Sequence, residues 1–218
     1  MKLLLKWLAY SVGYKMSYSF EDKDLTSEKS LWDVYKLSRR ILPNKFQVIF
    51  LLLIMLALGF NAFVLVDDKA VILGDVRKWS EFGFNFSITT LGFLIAGFTI
   101  FATLSKPKMM LAMMEHTNRE TGLPTLKYNF FTFMKVFIAY IAISIFYLLV
   151  MILGQADGFI SNVVTLLPNE DCVKSILIKT AYTLIGSSFV YLLLLLKSFV
   201  FNIYAIVMNF LRWEYHEG

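Results

Sequence analysis

The chain has 218 residues, of which 58% are hydrophobic and 17% aromatic, and its mean hydropathy is +0.64. Soluble globular domains have an apolar content of roughly 45–50%, so the composition excludes that class and predicts an integral membrane protein. The net charge is +5, and a single cysteine, Cys172, excludes a disulfide within the chain.

The N-terminal 45 residues are predicted to form amphipathic helices and a linker on the cytoplasmic side. The apolar residues of 1–16 are spaced for one helix face lying in the membrane interface, whereas residues 17–29 are polar and mixed in charge. Ser30 and Asp33 are arranged as in a capping box, which predicts a second helix that ends at the following Pro-Asn pair. Its apolar row is Leu31, Val34, Leu37 and Ile41.

Four later segments are long and apolar enough to cross a membrane as helices. A hydrocarbon core of about 30 Å needs roughly 20 helical residues, and the absence of strand-like alternation argues against a barrel. The predicted fold class is therefore all-α, a polytopic membrane protein with a four-helix transmembrane domain over 46–211 and a tail of 212–218. The predicted spans are 46–66, 82–104, 132–153 and 175–196.

The basic residues indicate the orientation. Sixteen of the 21 Lys and Arg residues lie in 1–46, in 105–135 or after the fourth span, all on the side that holds the N-terminus. The positive-inside rule therefore predicts that both termini are cytoplasmic. The connections on the other side, 67–81 and 154–174, are too short for a separate domain.

The fourth hydrophobic segment is longer than a bilayer requires. It runs from Ser175 to Leu211 and would form a helix of about 55 Å, with Lys197 at the cytoplasmic interface. We expect residues 198–211 to continue into the cytoplasm or to bend along the membrane. Because this extension is too apolar to be solvated alone, it should pack on another subunit or on the N-terminal helices, which favours a homo-oligomer, a tetramer or larger.

A stripe of small and polar residues follows one face of the second span. Its members are separated by 4, 3, 4, 3 and 4 residues, which is the spacing of a single helix face, and the fourth span carries a shorter group. Such stripes let helices pack closely or line a wet path, and both uses are met if the stripe faces an oligomer axis. The predicted pore-lining or helix-packing residues are Asn85, Thr89, Gly92, Ala96, Thr99, Thr103, Thr183 and Ser187.

Basic residues on the predicted cytoplasmic side form a second candidate site. They set the topology and contact anionic headgroups, or they bind an anionic ligand such as a nucleotide or oligonucleotide, or a cytoplasmic partner protein. No aromatic-basic RNA motif accompanies them. The residues are Lys36, Arg39, Arg40, Lys106, Lys108, Lys135, Lys197 and Arg212.

Four methionines lie close together in the hairpin between the second and third spans. Their spacing is typical of an adaptable apolar surface against a neighbouring helix or a partner protein, and we favour this interpretation over a copper(I) site. These predicted partner contacts are Met109, Met110, Met113 and Met114.

Little in the sequence indicates an enzyme. It contains no P-loop, no glycine-rich dinucleotide turn, no metal-ligand cluster and no acid-base pair within a span. The two histidines, His116 and His216, are the remaining candidates for an enzyme that acts on lipid or RNA. Arg212 and His216 are one residue short of the spacing in HEPN ribonucleases. We therefore predict a non-enzyme without cofactor or metal.

A basic amphipathic N-terminus is combined here with the stretch TLGFLIAGFTIFATLSKPK at 90–108, which runs from the small-residue span into a basic hairpin. In this architecture the chain resembles the small four-span membrane proteins of bacterial anti-phage systems, such as the membrane subunit of Kiwa, the channel-like effector of Hailong and the membrane accessories of type VI-B CRISPR loci. The resemblance carries over no functional residue. It implies an oligomer of the bacterial inner membrane that a ligand or partner holds quiet until phage infection.

Two functional hypotheses follow from these observations. The leading one is a homo-oligomeric channel or membrane-perturbing effector, surrounded by membrane lipids and gated from the cytoplasmic side by a ligand or partner. The alternative is a non-conducting sensor or scaffold that recruits a cytoplasmic effector through the methionine hairpin and the N-terminal helices.

Overall fold

The protein is a bundle of long helices. The computed structural model describes residues 20–41, 43–104, 106–155 and 158–217. Within these ranges it contains helices and no strand beyond an isolated bridge, and four of the helices are long and apolar enough to cross a membrane. The predicted all-α polytopic fold is therefore confirmed. The amphipathic helix predicted over 1–16 lies outside the described residues.

Eight α-helices follow one another along the described part of the chain. The candidate spans are α3 with a π-helical turn that extends it, α4, α6 and α8, and their mean hydropathy lies between 1.8 and 2.8. The helices are α1 (Asp22–Leu25), α2 (Leu31–Ser38), α3 (Lys45–Phe60, then the π turn Asn61–Leu65), α4 (Lys69–Leu104), α5 (Pro107–Glu115), α6 (Thr125–Leu153), α7 (Phe159–Val164) and α8 (Glu170–Glu217).

Helix α2 begins at the predicted cap. The Ser30 hydroxyl accepts a hydrogen bond from the Asp33 backbone N–H at 3.2 Å and donates one to the Asp33 carboxylate at 2.8 Å, which lowers the pKa of that carboxyl. The helix ends earlier than predicted, and Ile41 beyond it forms a small buried cluster with Leu123 and Phe131. This cluster attaches the N-terminal segment to the start of α6.

Helix α4 begins at Lys69, so most of the predicted connection 67–81 is helix rather than loop. The helical part of this region carries five charged residues: Lys69, Asp75, Arg77, Lys78 and Glu81. The helix continues through them because Ile72, Val76 and Ser80, spaced four residues apart, are buried against the bundle. Hydropathy therefore located the apolar part of the helix but not its end.

Helices α4, α6 and α8 pack against one another, while α3 packs mainly on α8, and α2 and α5 pack on α6. Ion pairs join α4 and α8 near both of their ends, from Lys69 to Asp171 at 3.8 Å and from Lys106 to Glu214 at 2.6 Å. These two helices are consequently parallel, and α3 and α6 run in the opposite direction. We call the end with Lys106 and Glu214 the basic end of the bundle.

Helix α8 is continuous over 48 residues, about 72 Å, so the predicted extension 198–211 continues the fourth span without a break. One face of the extension packs on α4 and α6, which were not among its predicted partners. Phe199 packs on Phe133 of α6 at a centroid distance of 5.2 Å, and Phe210 stacks on Phe101 of α4 at 5.6 Å. The chain therefore covers one face of the extension with its own helices, and the apolarity of that face does not require a second subunit.

Candidate functional site

The predicted stripe on the second span lies on the outer surface of the bundle. All six of its α4 residues are exposed, and a Cβ added to Gly92 would meet no atom within 4 Å. In the described part of the chain, the stripe consequently faces away from the bundle core and is open to lipid or to another molecule. The residues are Asn85, Thr89, Gly92, Ala96, Thr99 and Thr103.

The polar groups of this outer stripe differ in how they are satisfied. Thr99 donates a hydrogen bond to the Ile95 carbonyl at 2.9 Å, and Thr103 donates to the Thr99 carbonyl at 3.0 Å. Among the described residues, neither the Asn85 amide nor the Thr89 hydroxyl has a hydrogen-bond partner. Since lipid tails offer no hydrogen bonds, these two groups favour a polar neighbour or water on that face.

The two predicted residues of the fourth span lie inside the chain. Thr183 and Ser187 are buried, and a Cβ on Gly186 between them would come within 2.6 Å of a Leu58 methyl group and 3.0 Å of the Trp79 ring. They therefore belong to the packing of α8 against α3 and α4. The structure does not bring them together with the outer stripe.

Three buried polar contacts between helices come from α6 and were missed in the sequence. Tyr140, Ser144 and Tyr147 lie on one face of that helix and are buried. Their hydroxyls bond the Leu192 carbonyl at 2.8 Å, Ser87 Oγ at 2.7 Å and Ser188 Oγ at 2.8 Å. Their spacing of four and three residues was the available signal. In a membrane, apolar burial alone does not hold helices together, so interhelical hydrogen bonds of this kind contribute to their association.

The predicted basic residues are gathered toward the basic end, and most are exposed. Lys106 pairs with Glu214, and Lys36 lies over the Trp32 ring at 5.8 Å. Lys135 is partly buried and donates to the Ile41 carbonyl at 2.7 Å. The others are exposed and have no ion pair within the described ranges: Arg39, Arg40, Lys108, Lys197 and Arg212.

A partly buried ion pair joins the N-terminal segment to α6. Lys127 Nζ lies 2.8 Å from a Glu28 carboxylate oxygen, and both side chains are only 13% exposed. We expect Glu28→Gln to loosen residues 20–41, because it leaves a poorly solvated ammonium without its counter-ion. Limited trypsin digestion should then cleave after Lys29 faster than in the parent chain. Glu21→Gln, which changes an exposed carboxylate, is the control and should leave the cleavage rate unchanged.

The methionine hairpin is partly internal. Met109 and Met114 are buried, whereas Met110 and Met113 are of intermediate exposure. Helix α5, which carries all four, packs on α6. Two of the four predicted partner contacts are thus used in the chain's own packing, so this surface is smaller than the sequence suggested.

The histidine candidates show no catalytic environment in the described part of the chain. His116 is exposed at the end of α5, and its carbonyl accepts hydrogen bonds from the Thr125 backbone and hydroxyl at 2.7 and 2.8 Å. His216 lies in the last turn of α8, and its side chain is outside the description. The described residues form no group of three or more His, Cys, Asp or Glu that could hold a metal ion.

The outer stripe of α4 is therefore the predicted site that the bundle leaves most open. Comparisons with known protein families, with characterised proteins and with solved structures give no match for this chain.

Proposed function

We propose that the protein is a homo-oligomeric channel or membrane-perturbing effector in which the outer stripe of α4 faces neighbouring copies of the chain. The observation that carries this proposal is the exposure of the whole stripe. Gly92 and Ala96 leave room for a second helix to approach closely, as small residues four apart do in membranes. The Asn85 amide and the Thr89 hydroxyl then find partners on another copy or in water near the axis.

A second exposed surface supports association at the basic end. Beyond Lys197, the face of α8 opposite its buried one carries Phe201, Tyr204, Met208 and Leu211, each 47–67% exposed. Their spacing of 3, 4 and 3 residues is that of a coiled-coil seam, which is self-complementary between copies. The α4 stripe and this seam lie on helices that run in parallel, so one oligomer can use both.

We propose that the basic end lies in the cytoplasm of a bacterium and that the spans lie in its inner membrane. The charge asymmetry between the two sides supports this orientation. There the exposed Arg39, Arg40, Lys108 and Arg212 are open to a nucleotide, an oligonucleotide or a partner protein that gates the oligomer. The biological setting we propose is anti-phage defence, and its support is the likeness of architecture to the four-span proteins of those systems.

Cysteine cross-linking tests the position of α4 in the oligomer. In a Cys172→Ser background, we expect Ala96→Cys to form a disulfide-linked dimer in lipid vesicles under mild oxidation. Leu53→Cys is the matched control, because this residue of α3 is also exposed, at 59%, but lies on a helix that the proposal leaves facing lipid. Equal cross-linking at both positions, or at neither, would contradict an α4 interface.

Ion flux tests the channel part separately. Vesicles that contain the purified protein and a trapped ion-sensitive dye should show flux, and Thr99→Leu should reduce or change it by placing a larger apolar side chain on the stripe. Val200→Leu, on an exposed apolar position of α8, serves as the control. If the protein cross-links through Ala96→Cys but passes no ions, the channel part of the proposal would be contradicted and the oligomer part supported.

A further inference from the structure

A cavity of about 300 Å³ lies near the basic end, between the chain that enters α3 and the helices α6 and α8. Its volume is that of a small-ligand pocket. Its lining is partly polar and partly apolar. The polar lining is Asn44, Gln47, Tyr128, Thr132, Lys135, Tyr191, Ser198 and Asn202, and the apolar lining includes Val48, Leu51, Leu194 and Leu195.

Among the described residues that line the cavity, Lys135 is the single cation, and it has no counter-ion. Lys135 is partly buried, and its ammonium donates one hydrogen bond, to the Ile41 carbonyl at 2.7 Å. No acidic residue is among the described residues that line the cavity, and Lys135 has no ion pair in the described part of the chain. Two ammonium donors therefore remain, and an anion is the ligand that satisfies them.

Neutral donors and a helix end share the cavity with the lysine. The Tyr191 hydroxyl and the Asn202 amide line the cavity and have no hydrogen-bond partner within the described ranges. Helix α3 begins beside the same cavity, where Asn44 caps it by accepting from the Phe46 N–H at 2.9 Å. The start of a helix carries partial positive charge. The polar part of the lining is thus adapted to one anionic group rather than to a cation.

The apolar part of the lining indicates the source of that anion. Val48 and Leu51 belong to α3, and Leu194 and Leu195 belong to α8, two candidate membrane spans. The cavity therefore lies at the boundary between apolar helix surfaces and the basic end. We propose that it binds the phosphate headgroup of an anionic phospholipid from the leaflet at that end, with the acyl chains along α3 and α8. This site is independent of the proposed channel.

Binding of short-chain lipids to the full chain in detergent tests the proposal. Dioctanoyl phosphatidylglycerol should bind and raise the unfolding temperature, whereas dioctanoyl phosphatidylcholine should do neither. Lys135→Gln should weaken the binding of phosphatidylglycerol by roughly tenfold or more, since it removes a hydrogen bond to a charged group. Lys197→Gln is the matched control, because this exposed lysine of α8 does not line the cavity, and it should retain the parent affinity.

A second variant covers the case in which Lys135→Gln fails to fold. Asn202→Ala should weaken binding by roughly fivefold, the effect of one neutral hydrogen bond. Equal losses in Lys135→Gln and Lys197→Gln would overturn the site in favour of general surface charge. Equal binding of phosphatidylcholine would overturn the anion specificity. Displacement of phosphatidylglycerol by an equal concentration of inorganic phosphate would show that the ligand is a soluble anion and not a lipid.

Discussion

Replacing Gly83 by alanine is expected to destabilise the bundle by about 1–3 kcal/mol, the usual effect of forcing extra volume into a packed core. A Cβ at this position of α4 would lie 2.7 Å from two ring carbons of Tyr147. That ring cannot move aside easily, because Tyr147 is fully buried and its hydroxyl is bonded to Ser188 at 2.8 Å. Thermal unfolding of the detergent-solubilised protein, followed by tryptophan fluorescence, measures the effect.

Gly92→Ala is the matched control on the same helix. A Cβ there meets nothing within 4 Å, so the unfolding temperature of the monomer should not fall. A double-mutant cycle adds a second check. In a Tyr147→Leu background, Gly83→Ala should have little further effect, because the ring that it would strike is gone. Full additivity of the two losses would show that the close contact between α4 and α6 does not exist.

Phe199→Ala is expected to lower the free energy of unfolding by about 3–5 kcal/mol, as large-to-small changes in cores do. Phe199 belongs to a phenylalanine cluster at the basic end, to which α4, α6 and α8 all contribute. It is 3% exposed and contacts Phe133 at 5.2 Å and Phe137 at 6.0 Å. The remaining members of the cluster are Phe98, Phe101, Phe130 and Phe210.

Phe201→Ala provides the comparison two residues away. Phe201 lies on the opposite face of α8 and is 67% exposed, so its loss should change the stability of the monomer by no more than about 0.5 kcal/mol. Denaturation in mixed micelles, with both variants at the same protein concentration, separates the two. Equal losses of stability in the two variants would mean that the face of α8 that carries Phe199 is not the one packed against the bundle.

The four spans and the long fourth helix could be predicted from hydropathy, because chain length and apolar content alone decide whether a helix can cross a membrane. Helix ends could not be predicted in the same way. Helix α4 starts at Lys69 and α6 at Thr125, each well before the apolar segment. The first turns of both helices are polar in composition, which predicts solvent exposure, but packing against the bundle buries one of their faces.

The face that α4 turns inward could not be determined from its sequence. The outer stripe has a counterpart on the other side of the same helix, which includes Gly83, Ser87, Thr90 and Leu94 at intervals of 4, 3 and 4. Both faces are spaced as helix faces and both contain small or polar residues. Which of them is buried depends on partners on α6, such as Tyr147 and Ser144, that lie some 60 residues away.

The peripheral position of α3 has a consequence for biogenesis. This helix comes before the other three candidate spans in chain order, yet the hydrogen bond from its Asn61 amide is made to the Tyr182 hydroxyl, 121 residues later. Until α8 is synthesised, α3 must reside in lipid without its partner. Its high mean hydropathy of 2.8 and its largely exposed surface are compatible with that state, since Ala62 is the one buried residue between Lys45 and Leu65. The fourth span therefore supplies a hydrogen-bond partner for the first of the four spans.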